Sequence, residues 1–199
     1  MQKSDLNEVV QLHIRSFPDF FLTSLGKGFL FELYRDFLSD ESAICKVIEH
    51  NGHISGFAVG NMNPGEFFRK VLWRKGHLFV YYSLKALIRN PGPVSRKLFF
   101  ALRYRGEQPD KITNAALLSS IGVDPVYGKS GFGSMLIRAF CDEAFTKGAG
   151  AVYLTTDKIN NDPVNTFYVK NGFTLESTFE KNKGRMMNRY ILLRDEKTI

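Results

Sequence analysis

The part of the chain best suited to chemistry is a glycine-bearing loop, residues 128–133, which reads Gly-Lys-Ser-Gly-Phe-Gly. An apolar run typical of a strand precedes it, and apolar residues at spacings of three and four follow it from Leu136 onward and predict a helix. A helix N-terminus offers free backbone N–H groups and the positive end of a dipole, and glycine lets the backbone approach a ligand closely. This arrangement predicts a phosphate or pyrophosphate site made by main-chain amides.

Two of three familiar phosphate-binding patterns do not fit this loop. A dinucleotide fingerprint needs a third glycine where Leu136 stands, and a Walker A loop needs a glycine where Val123 stands. The third pattern, Val-x-Pro followed by five residues and Gly-x-Gly, is matched by Val123, Pro125, Gly131 and Gly133. In this form the chain resembles the GNAT superfamily of acyl-CoA-dependent N-acyltransferases.

The resemblance implies a binding site for acetyl-CoA. In the family, the backbone amides of this loop bind the pyrophosphate of coenzyme A, and the preceding strand pairs with the pantetheine arm. The family usually carries Arg or Gln at the position of Gly128, so that side chain is missing here. Lys129 and Ser130 are expected to assist the pyrophosphate, and a solvated loop lysine is the alternative. The implied contact residues in this segment are Ile121, Gly122, Val123, Gly128, Lys129, Ser130, Gly131, Phe132, Gly133 and Ser134.

A second segment, residues 161–173, strengthens the resemblance. By its local pattern, Asp162 is an N-cap, Pro163 the first residue of a short helix and Gly172 the residue that ends it. Within the family, it is similar to the segment in which an asparagine contacts coenzyme A and a tyrosine stands beside the thioester sulfur. Those positions are Asn161 and Tyr168.

Tyr168 is the predicted general acid. A phenol with a pKa near 10 is protonated at neutral pH and can give its proton to a departing thiolate with a pKa of about 8.5. The alternative is a surface tyrosine on an amphipathic helix. The resemblance also implies that a backbone amide between residues 121 and 123 holds the carbonyl oxygen, with Gly122 marking a bulge or a close approach. An ordinary, fully paired strand is the alternative there.

The general base is not evident. Many relatives carry a glutamate on this strand, whereas here the neighbouring residues include Ser119 and Ser120. Either water chains past these serines remove the proton, or another segment supplies the base. His53 and His77 are candidates because histidine titrates near neutrality. No cluster of residues suggests a metal.

Residues 64–108 form a basic and aromatic insertion. They contain ten Lys or Arg residues against two Glu, and the whole chain has a net charge of +7. We weigh three roles: a lid over an anionic acceptor such as a nucleotide-linked amino sugar, a contact with an anionic membrane surface, and nucleic-acid binding. The lid is preferred, and nucleic acid ranks last because no recognition motif is present. A solvated basic face without a partner is the alternative to all three.

The order of the predicted elements matches the plan of the family, so the resemblance implies an α/β (α+β) fold with a GNAT-like mixed central sheet flanked by helices. We expect a single domain of residues 1–199 in which the basic insertion is helical. The family's first strand is expected to be short or missing, because only four residues precede a helix that begins at Asp5. The predicted core elements are strands 43–49, 54–60 and 115–123, helix 133–147, strand 151–156, helix 162–171 and strands 173–180 and 186–194.

Composition places the protein in a reducing compartment. Cys45 and Cys141 have neither disulfide-framework nor zinc-site spacing, and the N-terminus has no apolar signal segment. We therefore expect a cytoplasmic N-acetyltransferase that moves an acetyl group from acetyl-CoA to a small primary amine, with membrane association through residues 64–108 held open. The alternative is a non-catalytic acyl-CoA-binding or peripheral membrane protein on the same fold.

Overall fold

The computed structural model describes residues 1–18, 20–89, 114–182 and 184–194. The helices are α1 (Leu6–Ser16), α2 (Phe21–Ser24), α3 (Lys27–Ser39), α4 (Pro64–Arg89), α5 (Phe132–Thr146) and α6 (Asp162–Lys170). The strands are β1 (Ala43–His50), β2 (His53–Asn61), β3 (Ala115–Val123), β4 (Ala151–Asp157), β5 (Thr174–Asn182) and β6 (Arg185–Leu193). Short 3₁₀ turns occupy Lys3–Asp5 and Pro125–Tyr127.

The strands form one sheet in the order β1-β2-β3-β4-β6-β5. β3 and β4 run parallel, and the other neighbouring pairs are antiparallel. The predicted hairpin turn is present, with φ of 52° at Asn51 and 76° at Gly52, as a tight two-residue turn requires. The mixed sheet and its flanking helices confirm the predicted fold class.

The helices cover both faces of the sheet and bury one apolar stripe each. On one face α1, α3 and the start of α4 pack on β1 and β2, while α5 and α6 cover the other face. Helix α5 shows how the sequence specifies this, because its buried residues recur at helical spacing. They are Leu136, Ile137, Phe140, Cys141 and Ala144.

The described residues before β1 contain no strand, in agreement with the expected loss of the family's first strand. The amino group of Met1 donates a hydrogen bond to the Cys45 carbonyl over 3.3 Å. The first residues of the chain therefore lie against the edge strand of the sheet without forming a ladder with it.

Helix α4, the described part of the insertion, runs antiparallel to α3. Its first turns pack Phe67 against Phe37, with ring centroids 4.3 Å apart, and Tyr82 packs beside Phe29 at the other end of α3. The predicted helical insertion is thus confirmed over residues 64–89, whereas the predicted basic and aromatic residues from 90 to 108 lie outside the described residues. No helix in the described ranges is long and apolar enough to cross a membrane.

One lysine of the insertion holds α4 to α3. Lys75 Nζ lies 2.8 Å from Glu32 Oε2 and 2.7 Å from Asp36 Oδ1, and all three side chains are mostly buried. The helix departs from helical geometry at this residue, with φ −126° and ψ 15°. This cation is used within the fold and is not free to face an acceptor.

We expect Lys75→Met to lower the free energy of unfolding by about 2 kcal/mol, because it leaves the poorly hydrated carboxylate of Asp36 without a counter-charge and Glu32 with Arg35 alone. The matched control is Lys70→Met, which removes an exposed i,i+4 pair with Glu66 and should cost much less. Urea denaturation of the two variants measures the difference. Equal losses would show that the Lys75 pairs contribute no more than a surface ion pair.

Candidate active site

The loop between β3 and α5 is built as an anion-binding turn. Asp124 ends the strand, and its carboxylate accepts a hydrogen bond from Val126 N over 3.1 Å and pairs with Arg15 at 2.6 Å. The bond from Val126 N, followed by the pair with Arg15, lowers the pKa of the Asp124 carboxyl, and both contacts fix the entry to the 3₁₀ turn. Lys129 and Gly131 then have left-handed φ of 66° and 85°, which turns successive amides toward one side.

Four amides of this loop lack a hydrogen-bond acceptor among the described residues: those of Lys129, Gly131, Gly133 and Ser134. Gly131 is the N-cap of α5 and provides no side-chain cap. The first intrahelical bond is donated by Met135 N to Gly131 O over 3.1 Å. The free amides and the dipole of a 15-residue helix make this turn well suited to bind an anion.

The three glycines of the loop have different reasons to be glycine. Gly131 needs its positive φ, whereas Gly128 has φ −55° and could hold another residue. At Gly133 a Cβ would lie 3.0 Å from Phe167 Cζ of α6. Gly133 therefore also lets α6 pack against the start of α5. That contact holds the helix that carries Tyr168 against the start of α5.

Strands β3 and β4 separate beside this loop. Both are described over their full lengths, and they pair only from Ala115 with Ala151 to Leu117 with Tyr153. In an antiparallel ladder, the backbone groups of every second residue point toward the same neighbouring strand. Asp124 N donates to Ser55 O of β2 over 2.9 Å. The amides of Ile121 and Val123 therefore point the other way, toward β4. We call the space between residues 118–123 and 154–157 the strand gap. The fully paired strand weighed as an alternative is absent here.

A bulge lies in β3 at Ser119, where the register with β2 shifts between Val59 and Gly60. The Ser119 hydroxyl is buried and has no hydrogen-bond partner among the described residues. The bulge considered at Gly122 is therefore wrong. Gly122 is instead a close approach, because a Cβ there would lie 2.8 Å from Phe57 Cε1 and 3.2 Å from Ser16 Oγ.

Tyr168 is 7% exposed, which rules out the surface tyrosine considered from the sequence. Its ring packs on Phe167, Phe173 and Tyr190, in the same hydrophobic cluster as Ile121 and Leu154 from the two sides of the strand gap. Burial raises the pKa of the Tyr168 hydroxyl above its ordinary value. The raised pKa keeps this hydroxyl protonated. Among the described residues it has no hydrogen-bond partner, so it is available to a ligand.

Asn161, and not Asp162, is the N-cap of α6, so the predicted cap was wrong by one residue. The Asn161 side-chain amide donates to Thr156 Oγ1 over 2.8 Å and to the Asp157 carbonyl over 3.0 Å, which ties the helix start to the end of β4. Of the polar side-chain atoms of Asn161, only Oδ1 is left for a ligand. The predicted contact with coenzyme A would therefore have to be made by that oxygen.

A buried polar pair near the strand gap was missed from the sequence. His13 of α1 is 1% exposed, and its Nδ1 lies 2.6 Å from the hydroxyl of Tyr34 on α3, which also lies near the side chain of Ser120. His13 Nε2 is buried without a partner among the described residues. The signal was available, because His13 continues the apolar stripe of α1 formed by Leu6 and Val9.

Burial lowers the pKa of His13 to about 4 from an ordinary 6.5, so its neutral form is favoured by folding. Because the unfolded chain binds this proton more readily, we expect stability to fall as pH drops from 6.5 to 4, by about 3 kcal/mol at most. His13→Asn can keep the bond to Tyr34 but cannot titrate. In urea denaturation at a series of pH values, this variant should lose the fall in stability between pH 6.5 and 4. The matched control His53→Asn, at an exposed hairpin residue, should leave that fall intact; an unchanged fall in His13→Asn would contradict the assignment.

The other titratable groups considered as bases are not placed in the strand gap. His53 lies in the β1–β2 hairpin, 3.8 Å from Glu8, and His77 lies on the exposed side of α4. The carboxylate of Asp157, at the end of β4, is held by two hydrogen bonds from Arg185 of 2.6 and 2.8 Å. The described structure thus offers no unpaired carboxylate at this position.

Comparison with known proteins agrees with this geometry. Residues 99–173 match the model of the Acetyltransferase (GNAT) family. The fold is similar to that of Ard1 from Thermoplasma volcanium, with a TM-score of 0.61 and 16% identity over 98% of this chain and 95% of that one. No curated protein matches the chain by sequence.

Two further solved structures are similar. One is a GNAT-family acetyltransferase from Streptococcus pneumoniae, with a TM-score of 0.59 and 17% identity over 97% of this chain and 95% of that one. The other is PaiA N-acetyltransferase from Thermoplasma acidophilum in complex with coenzyme A, with a TM-score of 0.57 and 14% identity over 98% and 96%. The family match over residues 99–173 and the similar folds confirm the predicted resemblance to the GNAT acetyltransferases.

Proposed function

We propose that the protein transfers an acetyl group from acetyl-CoA to a primary amine by direct attack. One observation carries the proposal: the loop with free amides at Lys129, Gly131, Gly133 and Ser134 follows the strand that borders the strand gap, and the start of α5 contacts Phe167 on the helix that carries Tyr168. The similarity to an N-acetyltransferase in complex with coenzyme A supports the choice of thioester carrier.

Each step has a candidate group in this chain. The loop amides bind the diphosphate, and the backbone between Ile121 and Val123 pairs with the pantetheine arm and donates to the thioester carbonyl oxygen as charge develops on it. The amine nitrogen attacks the carbonyl carbon, the carbon–sulfur bond breaks, and Tyr168 gives its proton to the departing thiolate. The raised pKa of Tyr168 keeps the phenol protonated at neutral pH, which is the form that can donate a proton.

The proton of the attacking amine is assigned to water at the polar side of β3. Ser119 offers a buried hydroxyl without a partner at the bulge, and Ser120 lies near the Tyr34 and His13 pair. The hydrogen bond from Val126 N and the pair with Arg15 lower the pKa of the Asp124 carboxyl, so Asp124 is a poorer proton acceptor. The carboxylate of Asp157 is paired with Arg185.

For the acceptor we propose a small amine that carries an anionic group, such as a nucleotide-linked amino sugar. The support is the net charge of the chain and the basic insertion. Two free thiols, at Cys45 and Cys141, have their pKa raised to about 12 by burial, and they suit a reducing compartment, so we place the reaction in the cytoplasm.

A thiol-release assay with acetyl-CoA and a panel of amines tests the activity. The panel pairs each neutral amino sugar with its phosphorylated or nucleotide-linked form, and we expect turnover with a primary amine and a lower KM for the anionic partner. The second candidate is an acyl-CoA-binding protein without turnover, favoured by Gly128 and by the missing carboxylate on β3. Tight binding of acetyl-CoA with no thiol release from any amine would decide for it.

A further inference from the structure

The side of α4 that faces away from α3 combines cations with exposed apolar groups. Trp73 is 85% exposed and Tyr81 57%, and Leu72 and Val80 are also exposed. We call this surface the outer face of α4. Its described members are Arg69, Lys70, Leu72, Trp73, Arg74, His77, Val80 and Tyr81.

Among the described residues, the fold does not use this face of α4 for packing. The opposite side of the same helix already makes the contacts with α3, through Phe67, Lys75 and Tyr82. A tryptophan on the outer face could be replaced by a polar residue at no cost to those contacts. Exposed aromatic and aliphatic groups grouped on one helix face indicate a surface that is covered in use.

The charge of the outer face of α4 indicates which kind of partner it can bind. Arg69, Lys70 and Arg74 lie within four residues of Trp73 along the helix. The single acidic residue of the described helix, Glu66 in its first turn, pairs with Lys70 at 2.9 Å and leaves the two arginines unpaired by it. Such a face fits an anionic surface. Leu72 and Val80 distinguish a bilayer from a nucleic acid, because aliphatic groups gain free energy among acyl chains and have no partner on a phosphate backbone.

We propose that the outer face of α4 docks the protein on the surface of an anionic lipid bilayer, with Trp73 and Tyr81 at the level of the headgroups and Arg69, Lys70 and Arg74 at the lipid phosphates. The helix lies along the surface, in keeping with the absence of a spanning helix in the described ranges. This inference does not rest on the proposed reaction, since no residue of the loop or the strand gap takes part.

Trp73 is the single tryptophan of the chain, so tryptophan fluorescence reports on the outer face of α4 alone. In lipid-free protein we expect emission close to that of tryptophan in water. Vesicles of phosphatidylcholine with about one third phosphatidylglycerol should shift the emission to shorter wavelength, and brominated acyl chains should quench it. Vesicles of phosphatidylcholine alone should cause little change, and added salt should weaken the effect.

Arg69→Glu/Arg74→Glu should reduce partitioning to the anionic vesicles roughly 30-fold or more, since each cation near such a surface contributes about a factor of five to ten. Arg138→Glu/Lys170→Glu makes the same charge change on exposed residues of α5 and α6, on the opposite face of the sheet, and should have a much smaller effect. Trp73→Ala, read by vesicle co-sedimentation, should also lose binding while its urea midpoint and acetyl-CoA affinity stay unchanged.

Three outcomes would overturn the proposal. Emission already at short wavelength without lipid would mean that another part of the chain or a second copy covers the face. Equal loss of vesicle binding in both double variants would mean that net charge acts without this face. Binding to single-stranded DNA or RNA of equal charge, with Trp73 quenched and no response to vesicles, would assign the face to nucleic acid.

Discussion

Tyr168→Phe is expected to lower kcat at least tenfold while leaving the Kd for acetyl-CoA unchanged. The change removes only a hydroxyl that has no partner among the described residues, and it keeps the ring contacts with Phe167, Phe173 and Tyr190. The fold should therefore lose little stability. The departing thiolate loses its proton donor, and a positioned general acid typically contributes a factor of one hundred or more. Steady-state kinetics and calorimetry on the same variant separate the two effects.

Tyr190→Phe is the matched control for this result. It removes the same atom from a neighbouring ring, but there the hydroxyl donates to Asn165 Oδ1 over 2.9 Å. We expect a loss of stability of about 1 kcal/mol and a smaller loss of kcat. If Tyr168→Phe kept the turnover of the unmodified protein, Tyr168 would not be the acid.

Gly131→Val is expected to weaken acetyl-CoA binding at least tenfold. Gly131 has φ 85°, and a Cβ added there would have no atom within 4 Å, so the substitution acts on the backbone and not through a clash. A β-branched residue disfavours this conformation, and the loop is expected to change the direction of the amides of Gly131 and Gly133. Calorimetric titration with acetyl-CoA measures the effect.

Gly148→Val provides an unusually close control. Gly148 follows the other end of the same helix, with φ 90° and open space where its Cβ would lie, so the backbone strain is alike. Both variants should lose comparable stability, and only Gly131→Val should lose affinity. Equal affinity losses would show that the effect passes through the stability of α5 and not through the loop amides.

The local parts of the site could be predicted from the sequence. The loop, the strand before it and the helix after it are contiguous, so glycine spacing and apolar periodicity locate them within about two residues. Tyr168 could be named for the same reason, because residues 161–173 carry a strong local pattern.

The parts of the site that could not be predicted depend on contacts distant in sequence. The strand gap arises where β3 and β4 stop pairing, and no residue type marks that point. The bulge lies at Ser119 because of the register with β2, although Gly122 has the better local signal. His13 contacts Tyr34, which is 21 residues away in the sequence, and Lys75 contacts Glu32, which is 43 residues away. The net charge of the insertion includes Lys75 as if it were a free cation, whereas in the fold Lys75 pairs with Glu32 and Asp36.

The central claim is that the main-chain amides of residues 129–134 bind the diphosphate of a thioester carrier. The most direct measurement is calorimetric titration of the unmodified protein with acetyl-CoA, with acetyl-dephospho-CoA and with S-acetylpantetheine, which lacks the diphosphate and the nucleoside. We expect one molecule of acetyl-CoA per chain, a similar affinity for the dephospho form and a loss of at least a hundredfold for the pantetheine. Equal affinity for all three, or no binding of acetyl-CoA, would contradict the account.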